Sequence, residues 1–198
     1  PGTLVLRRST AIHLAPRAEG LIIADSQGKV LVEDSLLRTQ GTCTPVILRG
    51  PQTGLAAGNS VIVTSDARSI EVHSKDAEGD SRSLILARTA LLSGQSALKF
   101  SHDGRRPPSL ELQLRQSLLA YVPGFNAEAV GIEFLGWSKE SEGLDKPRVA
   151  AVSWKSEKSA LINWPHWATL HFADKSTALD IRDEDSWHGF WRSPSSSG

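Results

Sequence analysis

The chain lacks several features that mark common protein classes. It has one cysteine, Cys43, and no methionine, even at position 1. A single cysteine excludes an intrachain disulfide and a cysteine metal cluster, and it favours an intracellular, reducing compartment. No run approaches the ~20 apolar residues that span a bilayer, and no charged-then-apolar signal segment opens the chain. The missing methionine indicates a piece of a longer protein.

An excess of charge is also absent, since 22 basic side chains face 22 acidic ones. Nucleic-acid binders usually carry a basic excess that neutralises phosphates. The arginine pairs, Arg7-Arg8 and Arg105-Arg106, are also remote from the tryptophans, all six of which follow residue 136. That separation argues against stacking of bases on rings beside phosphate contacts. Neither a nucleic acid nor a membrane is therefore expected as a partner.

Short stretches of alternating apolar and polar residues dominate the sequence, and this period of two predicts β-strands. Three stretches pair two such runs through a short turn rich in Asp and Ser, which predicts β-hairpins. In the first of them Gly28 can supply a positive φ at the turn. The stretches are LIIADSQGKVLVED (21–34), VIVTSDARSIEVHS (61–74) and LHFADKSTALDIRD (170–183).

Other segments predict helices and a division of the chain. Ser109 to Val122 is rich in Leu, Gln, Arg and Glu, which favours a helix over a strand, and Asp183 or Asp185 can cap one or two helical turns that follow. Residues 50–58 read as a loop, and the polar stretch 101–108 ends in two prolines. We therefore predict a mainly β, β-rich α+β fold with antiparallel sheets and two or three short helices. Its two related units would be 1–106 and 107–192, before a disordered tail at 193–198.

The third hairpin resembles that of a polo box, in which an apolar strand runs into a Phe-x-Asp-x-Ser-Thr turn. The first hairpin is similar to the strand, Asp/Asn-x-Gly turn and strand of such boxes. The resemblance implies a six-stranded antiparallel sheet crossed by a helix, usually in tandem. It also implies a non-catalytic module that directs a kinase or scaffold to kinetochores, spindle poles or centrioles. The matching residues are Phe172, Asp174, Ser176, Thr177 and Leu179, and Asp25, Gly28, Val30, Val32 and Glu33.

The chain departs from the phosphate-reading members of that family. They grip phosphate with an early tryptophan and with a His-x-Lys in the second box. Here the His-x-Lys is His73-Ser74-Lys75, in the first half, and no tryptophan precedes it. The phosphate grip is therefore not carried over, and the resemblance is to divergent tandem boxes that dock by other surfaces.

Four tryptophans crowd the C-terminal stretch: Trp164, Trp167, Trp187 and Trp191. Rings so close together either pack in a core or, where exposed, form a surface that binds protein or sugar. Both readings stay open. We take these four as the predicted contact surface, with His73 and Lys75 as a secondary polar site.

An enzyme is the alternative, a metal-assisted hydrolase that uses His166, His171 and Asp174. The two histidines are five apart, so on one regular strand they point to opposite faces. A carbohydrate-binding β-sandwich is a third possibility. The leading prediction is a non-enzymatic protein-docking module that needs no cofactor and is compatible with a homodimer. The polo-box resemblance implies a location at kinetochores, in the nucleus, or at the centrosome.

Overall fold

A computed structural model describes most of the chain: residues 2–14, 18–75, 80–103, 108–123, 128–137, 139–140, 148–149, 152–172, 178–183 and 185–187. These residues fold into a β-solenoid, in which the chain winds through three sheets, A, B and C, and then begins the next coil. Neighbouring strands within each sheet are parallel, apart from the last strand of sheet C.

The strands are numbered in chain order. Sheet A contains β1 (Gly2–Arg7), β4 (Gly28–Glu33), β7 (Gly54–Gly58), β10 (Ser81–Ala87), β13 (Ser109–Arg115) and β18 (Val152–Glu157). Sheet B contains β2 (Thr10–His13), β5 (Leu36–Thr39), β8 (Val61–Thr64), β11 (Ala90–Ser93), β14 (Leu118–Tyr121) and β19 (Ala160–Ile162). Sheet C contains β3 (Gly20–Ala24), β6 (Thr44–Leu48), β9 (Arg68–Lys75), β12 (Ser96–Asp103), β15 (Val130–Trp137), β20 (His166–Phe172) and β21 (Ala178–Ile181).

Two departures from regular winding lie on either side of the last coil. An insertion between β15 and β18 contains a small antiparallel pair, β16 (Lys139–Glu140) and β17 (Arg148–Val149). At the end of the chain β21 turns back and pairs antiparallel with β20. The third predicted hairpin is therefore confirmed.

The core lies inside the coils, where equivalent apolar side chains stack in columns. In sheet A the column Val30, Leu55, Leu84 and Leu112 follows the strand register. In sheet C the rings of Phe100 and Phe134 stack with centroids 5.1 Å apart. Burying each such side chain contributes about 1.5–3 kcal/mol, so alternation in every strand drives the coils together.

The corner between sheets A and B is a two-residue turn repeated in every coil. Its first residue has a positive φ near 50°, as at Asp34 and Arg88, and its second is Ser or Thr. The Ser or Thr hydroxyl donates to the carbonyl two residues earlier, as Ser60 does to Gly58 at 2.8 Å. It can also accept the backbone N–H of the preceding coil, as Ser60 does from Ser35 at 3.1 Å. These bonds hold residues other than glycine in a conformation that they adopt rarely.

The predicted antiparallel sheets and paired β-rich units are wrong. The strands of the first two predicted hairpins exist, but β3 and β4 lie in different sheets, as do β8 and β9. Each turn is a corner rather than a reversal, and each strand pairs in parallel with its equivalent one coil away. Local alternation is the same in both folds, because it records only which side of a strand is buried.

The two or three predicted helices are also wrong. Ser109 to Val122 forms β13 and β14, where Leu110, Leu112 and Leu114 point inward at a period of two. In the described part of the chain the helical residues are 185–187, with Asp183 as the predicted cap accepting the Ser186 N–H at 2.7 Å. The predicted loop at 50–58 contains β7, whose outward positions are Gly54, Ala56 and Gly58.

The resemblance to a polo box is overturned by this architecture. A polo box is an α+β fold whose helix crosses an antiparallel sheet, whereas this chain is almost entirely parallel β. The proposed boundary at residue 106 falls among residues 104–107, which are outside the described residues, and each of sheets A, B and C has strands on both sides of it. The predicted tail at 193–198 also lies outside them.

Candidate functional site

The three outer faces of the solenoid differ in chemistry. Successive side chains of a strand point to opposite sides, so each sheet presents the non-core half of its residues to the outside. Sheet A is mixed, with Lys29, Leu31 and Glu33 on one strand and Gly54 and Ala56 on the next. Sheet B is almost wholly apolar and sheet C carries interacting charges, so these two faces are the candidates.

The outer face of sheet B, here called the apolar face, is continuous across six strands. Its exposed side chains include Ile12 (52%), Ile162 (42%) and Val61 (37%). Among the described residues of this face the polar side chains are Thr10 and Arg38, both from the first two coils. Its apolar members are Ile12, Leu36, Val61, Val63, Ala90, Leu92, Leu118, Ala120, Ala160 and Ile162.

One edge of the apolar face is lined by the positive-φ residues of the A–B corner, here called the corner row. It contains more cations than anions: Arg8, Asp34, Asn59, Arg88, Gln116 and Lys158. Part of the row is hydrogen-bonded, since the Asn59 amide donates to Asp34 at 3.1 Å and the Arg88 Nε donates to the Asn59 oxygen at 2.5 Å. The apolar face therefore has a polar, net basic border on this side.

On sheet C the interacting charges centre on Glu71, which is 8% exposed. Its carboxylate oxygens lie 3.1 Å from Arg68 Nη1 and 2.9 Å from His73 Nε2. Arg68 also approaches Glu133 two coils away, at 3.6 Å, and His73 Nδ1 lies 2.8 Å from the Ser101 hydroxyl. These residues form the charged cluster.

The Glu71 carboxylate is held ionised in this cluster. Burial alone would raise its pKa, but the hydrogen bond with His73 and the charges of Arg68 and Lys99 outweigh burial and lower the pKa to about 2. A carboxylate with such a low pKa and occupied oxygens is a poor general acid or base near neutral pH. The charged cluster is therefore better suited to holding the outer wall of sheet C together than to proton transfer.

The predicted secondary polar site falls partly inside this cluster. His73 is half-buried between Glu71 and Ser101, whereas Lys75 is exposed at the end of β9, in register with Asp103. Although only two residues apart, the two side chains sit in different surroundings. Their predicted role in partner binding stays a prediction.

Three of the four clustered tryptophans lie in the described part of the chain, in its last coil and in the short helix after β21. Trp164 and Trp187 are buried, 5% and 8% exposed, and Trp167 is half-buried. Trp164 donates its indole N–H to the Leu119 carbonyl at 2.9 Å. The Trp187 ring meets Trp154 edge-on at 5.1 Å and Trp167 at 6.3 Å.

We call Trp154, Trp164, Trp167 and Trp187 the tryptophan cap; their rings belong to the apolar core or pack against it. Little of the Trp164 and Trp187 rings is available to a partner. Trp191 lies outside the described residues, and the predicted contact surface as a whole stays a prediction.

The residues of the alternative metal site are only partly placed. His166 and His171 lie five residues apart on β20, with His166 half-buried and His171 exposed. His166 Nδ1 contacts Asp180 at 2.7 Å, and Asp174 is outside the described residues. Among the residues that can be described, no group of three or more His, Cys, Asp and Glu side chains is placed to hold a metal ion.

Sequence reasoning missed the apolar face, although a signal for it was present. Ser or Thr recurs at the second corner position, at 9, 35, 60, 89, 117 and 159, and each is followed by a short strand. Aligning these positions would have brought the outward residues of sheet B into two columns, one and three residues after the Ser or Thr. When each strand is considered alone, apolar residues such as Val61 and Val63 cannot be distinguished from core residues.

The described part of the chain contains no helix long and apolar enough to cross a membrane. No protein-family model matches the sequence, and neither a curated protein nor a solved structure matches it.

Proposed function

We propose that this chain is a non-catalytic protein-recognition module that docks through the apolar face of sheet B. The observation that supports the proposal most is the continuity of that face over six strands, with exposed Ile12, Val61 and Ile162. Large contiguous apolar patches on soluble proteins commonly mark interaction sites. The flat backbone of stacked parallel strands also keeps the patch rigid, which reduces the entropy lost on binding.

Two features make this surface a better candidate than the tryptophan cap or the charged cluster. Trp164 and Trp187 are buried against their neighbours, and the oxygens of Glu71 are engaged by Arg68 and His73. The apolar face has no such internal partner for its outward side chains in the described residues. Kinetochores and centrioles, which the polo-box resemblance implied, form no part of the proposal, because that resemblance is overturned.

The proposal is tested by charging the apolar face without charging the core. Val63→Glu with Leu92→Lys replaces two outward neighbours that are in register on β8 and β11. Ala56→Glu with Ile85→Lys is the matched control, since these are outward neighbours in register on β7 and β10 of sheet A. Opposite charges avoid repulsion between adjacent strands.

Affinity capture from cell extract, compared by quantitative mass spectrometry, should show proteins that the wild type and the sheet A control retain and the sheet B variant loses. Circular dichroism checks that both variants keep their β-structure. Identical captured sets for the three folded proteins would contradict docking through sheet B.

A further inference from the structure

We infer that the partner segment is an amphipathic α-helix with an acidic flank, lying along the solenoid axis over the apolar face. The inference rests on the proposed docking function and specifies its partner. It follows from the shape of the face, from its area and from the charge of its border.

The apolar face is long across the strands and narrow along them. Six strands about 4.8 Å apart span roughly 24 Å from the first to the last. The sheet B strands are three or four residues long, which at about 3.3 Å per residue gives a width of roughly 10–13 Å. A helix of about 16 residues is roughly 24 Å long and about 10 Å wide, so one helix covers the face.

The area of the face argues against a second copy of this chain as its occupant. A strip of these dimensions offers roughly 300 Å² on each copy, whereas a stable interface needs about 800 Å² from each partner. A helix can gain further contact from the side chains that border the strip. The face is therefore too small for a stable homodimer by itself, but its shape suits a single helix.

The charge of the border indicates which residues lie on the adjacent flank of the helix. The corner row places Arg8, Arg88 and Lys158 beside the apolar strip, against the one acidic residue Asp34. Arg38 adds another cation on the face itself, where it is exposed. Glutamates on the shoulder of a docked helix would lie beside these cations, and such complementary charges favour one partner over another.

A designed peptide tests this inference directly. The probe is a fluorescently labelled peptide of about 20 residues with Leu and Ala on one helical face and Glu on one flank of that face. Lys-flanked and sequence-scrambled versions are the comparisons. Fluorescence anisotropy should show that the Glu-flanked peptide binds about tenfold more tightly than the Lys-flanked one, and circular dichroism should show that it gains helix on binding.

Variants of the protein separate the contribution of apolar contact from that of charge complementarity. Val63→Glu with Leu92→Lys should abolish binding of the peptide, whereas Arg88→Glu with Lys158→Glu should reverse the preference for Glu over Lys flanks. Equal binding of the Glu, Lys and scrambled peptides, or no binding of any of them, overturns the helix inference. So does a homodimer, measured by analytical ultracentrifugation, that the Val63→Glu, Leu92→Lys variant disrupts.

These outcomes are distinct from failure of the proposed function. If the capture experiment shows partners that depend on sheet B while the peptides do not bind, docking stands and the helical partner is wrong. If captured proteins are the same for the wild type and the sheet B variant, docking itself is wrong.

Discussion

At the scale of single residues, the hydroxyls of the A–B corner bond to the backbone within and between coils. Ser60 is 1% exposed, and its hydroxyl accepts the Ser35 N–H at 3.1 Å and donates to the Gly58 carbonyl at 2.8 Å. The Ser9 hydroxyl donates to the Arg7 carbonyl at 3.0 Å, and among the described residues no backbone N–H donates to it. The Ser60 hydroxyl therefore links two coils, whereas the Ser9 hydroxyl bonds within its own turn.

We expect Ser60→Ala to lower the free energy of unfolding by about 1–3 kcal/mol, because the buried Ser35 N–H loses its acceptor. Ser9→Ala, the matched control, should change it by less than about 0.5 kcal/mol. Chemical denaturation of the two variants measures both values. Equal effects would contradict the role given to the bond between coils.

Glu71 gives a prediction that depends on pH. Its folded-state pKa of about 2 lies below the ordinary value of 4.5, so its stabilising contribution is complete above pH 4.5 and is lost as the pH falls through about 2. Glu71→Gln should lower the free energy of unfolding by about 2 kcal/mol at pH 7, and the gap from wild type should close over that window. Urea denaturation between pH 2 and pH 7 measures it.

Glu111→Gln is the control for this effect, because the Glu111 carboxylate is more exposed and pairs with Lys155 on the outer face of sheet A. Glu111→Gln should lower the free energy of unfolding much less than Glu71→Gln does at every pH. A Glu71→Gln variant whose loss of stability does not change between pH 7 and pH 2 would show that the carboxylate charge is not what stabilises the cluster.

At the scale of elements, the corner between sheets B and C depends on a close approach of two backbones. A Cβ at Gly94 would lie 1.6 Å from the Ser65 carbonyl oxygen of the coil before, whereas one at Gly58, on the outer face of sheet A, would lie 4.0 Å from its nearest neighbour. Gly94→Ala should therefore destabilise the protein by about 2 kcal/mol or more.

Gly58→Ala should be close to neutral and is the matched control for Gly94→Ala. Thermal unfolding of the two variants compares them. If Gly94→Ala is tolerated as well as Gly58→Ala, the coils are not stacked as closely at this corner as described.

The tryptophan cap gives a second prediction about stability, at Trp187. Trp187→Ala should expose the rings of Trp154 and Trp167 and lower the free energy of unfolding by about 3 kcal/mol. Trp187→Phe should lower it less. Thermal unfolding followed by near-ultraviolet circular dichroism measures stability and ring packing together. Unchanged stability with loss of partner binding would instead assign Trp187 to the predicted contact surface.

The sequence predicts most strands of this fold but, apart from the β20–β21 hairpin, not their partners. Alternation identified β3, β4, β8, β9 and β12, because it records burial on one side of a strand. It could not separate a corner from a hairpin, since Asp25 to Gly28 suits either. The sequence suggests that Gly28 supplies a positive φ. In the structure, glycine is needed there because a Cβ would lie 2.3 Å from the Gly2 carbonyl oxygen.

Helix propensity failed at Ser109 to Val122 for a related reason. Leu110, Leu112 and Leu114 have neighbours in register on β10, and packing between coils overrides the intrinsic preference of Leu, Gln and Glu for helix. Of the candidate surfaces, the tryptophan cluster was visible as a local concentration of rings. The apolar face was not, because its members come from six strands spread between residues 10 and 162.

At the scale of the whole molecule, the parallel register places functionally relevant residues together. Residues at equivalent positions of successive coils, distant in sequence, become neighbours about 4.8 Å apart, and this repetition creates the apolar face and the corner row. An antiparallel two-unit fold of the same sequence would bring neither set together. The docking proposal therefore depends on the register of sheet B.

The most direct measurement is a set of distances between spin labels on the outer face of sheet B. Cysteines at position 12 and, in turn, at 92, 120 and 162, in a Cys43→Ala background, carry nitroxides for double electron–electron resonance. The solenoid predicts label separations that rise by about 5 Å per coil, near 14, 19 and 24 Å. Distances that do not increase in this order would contradict the parallel solenoid.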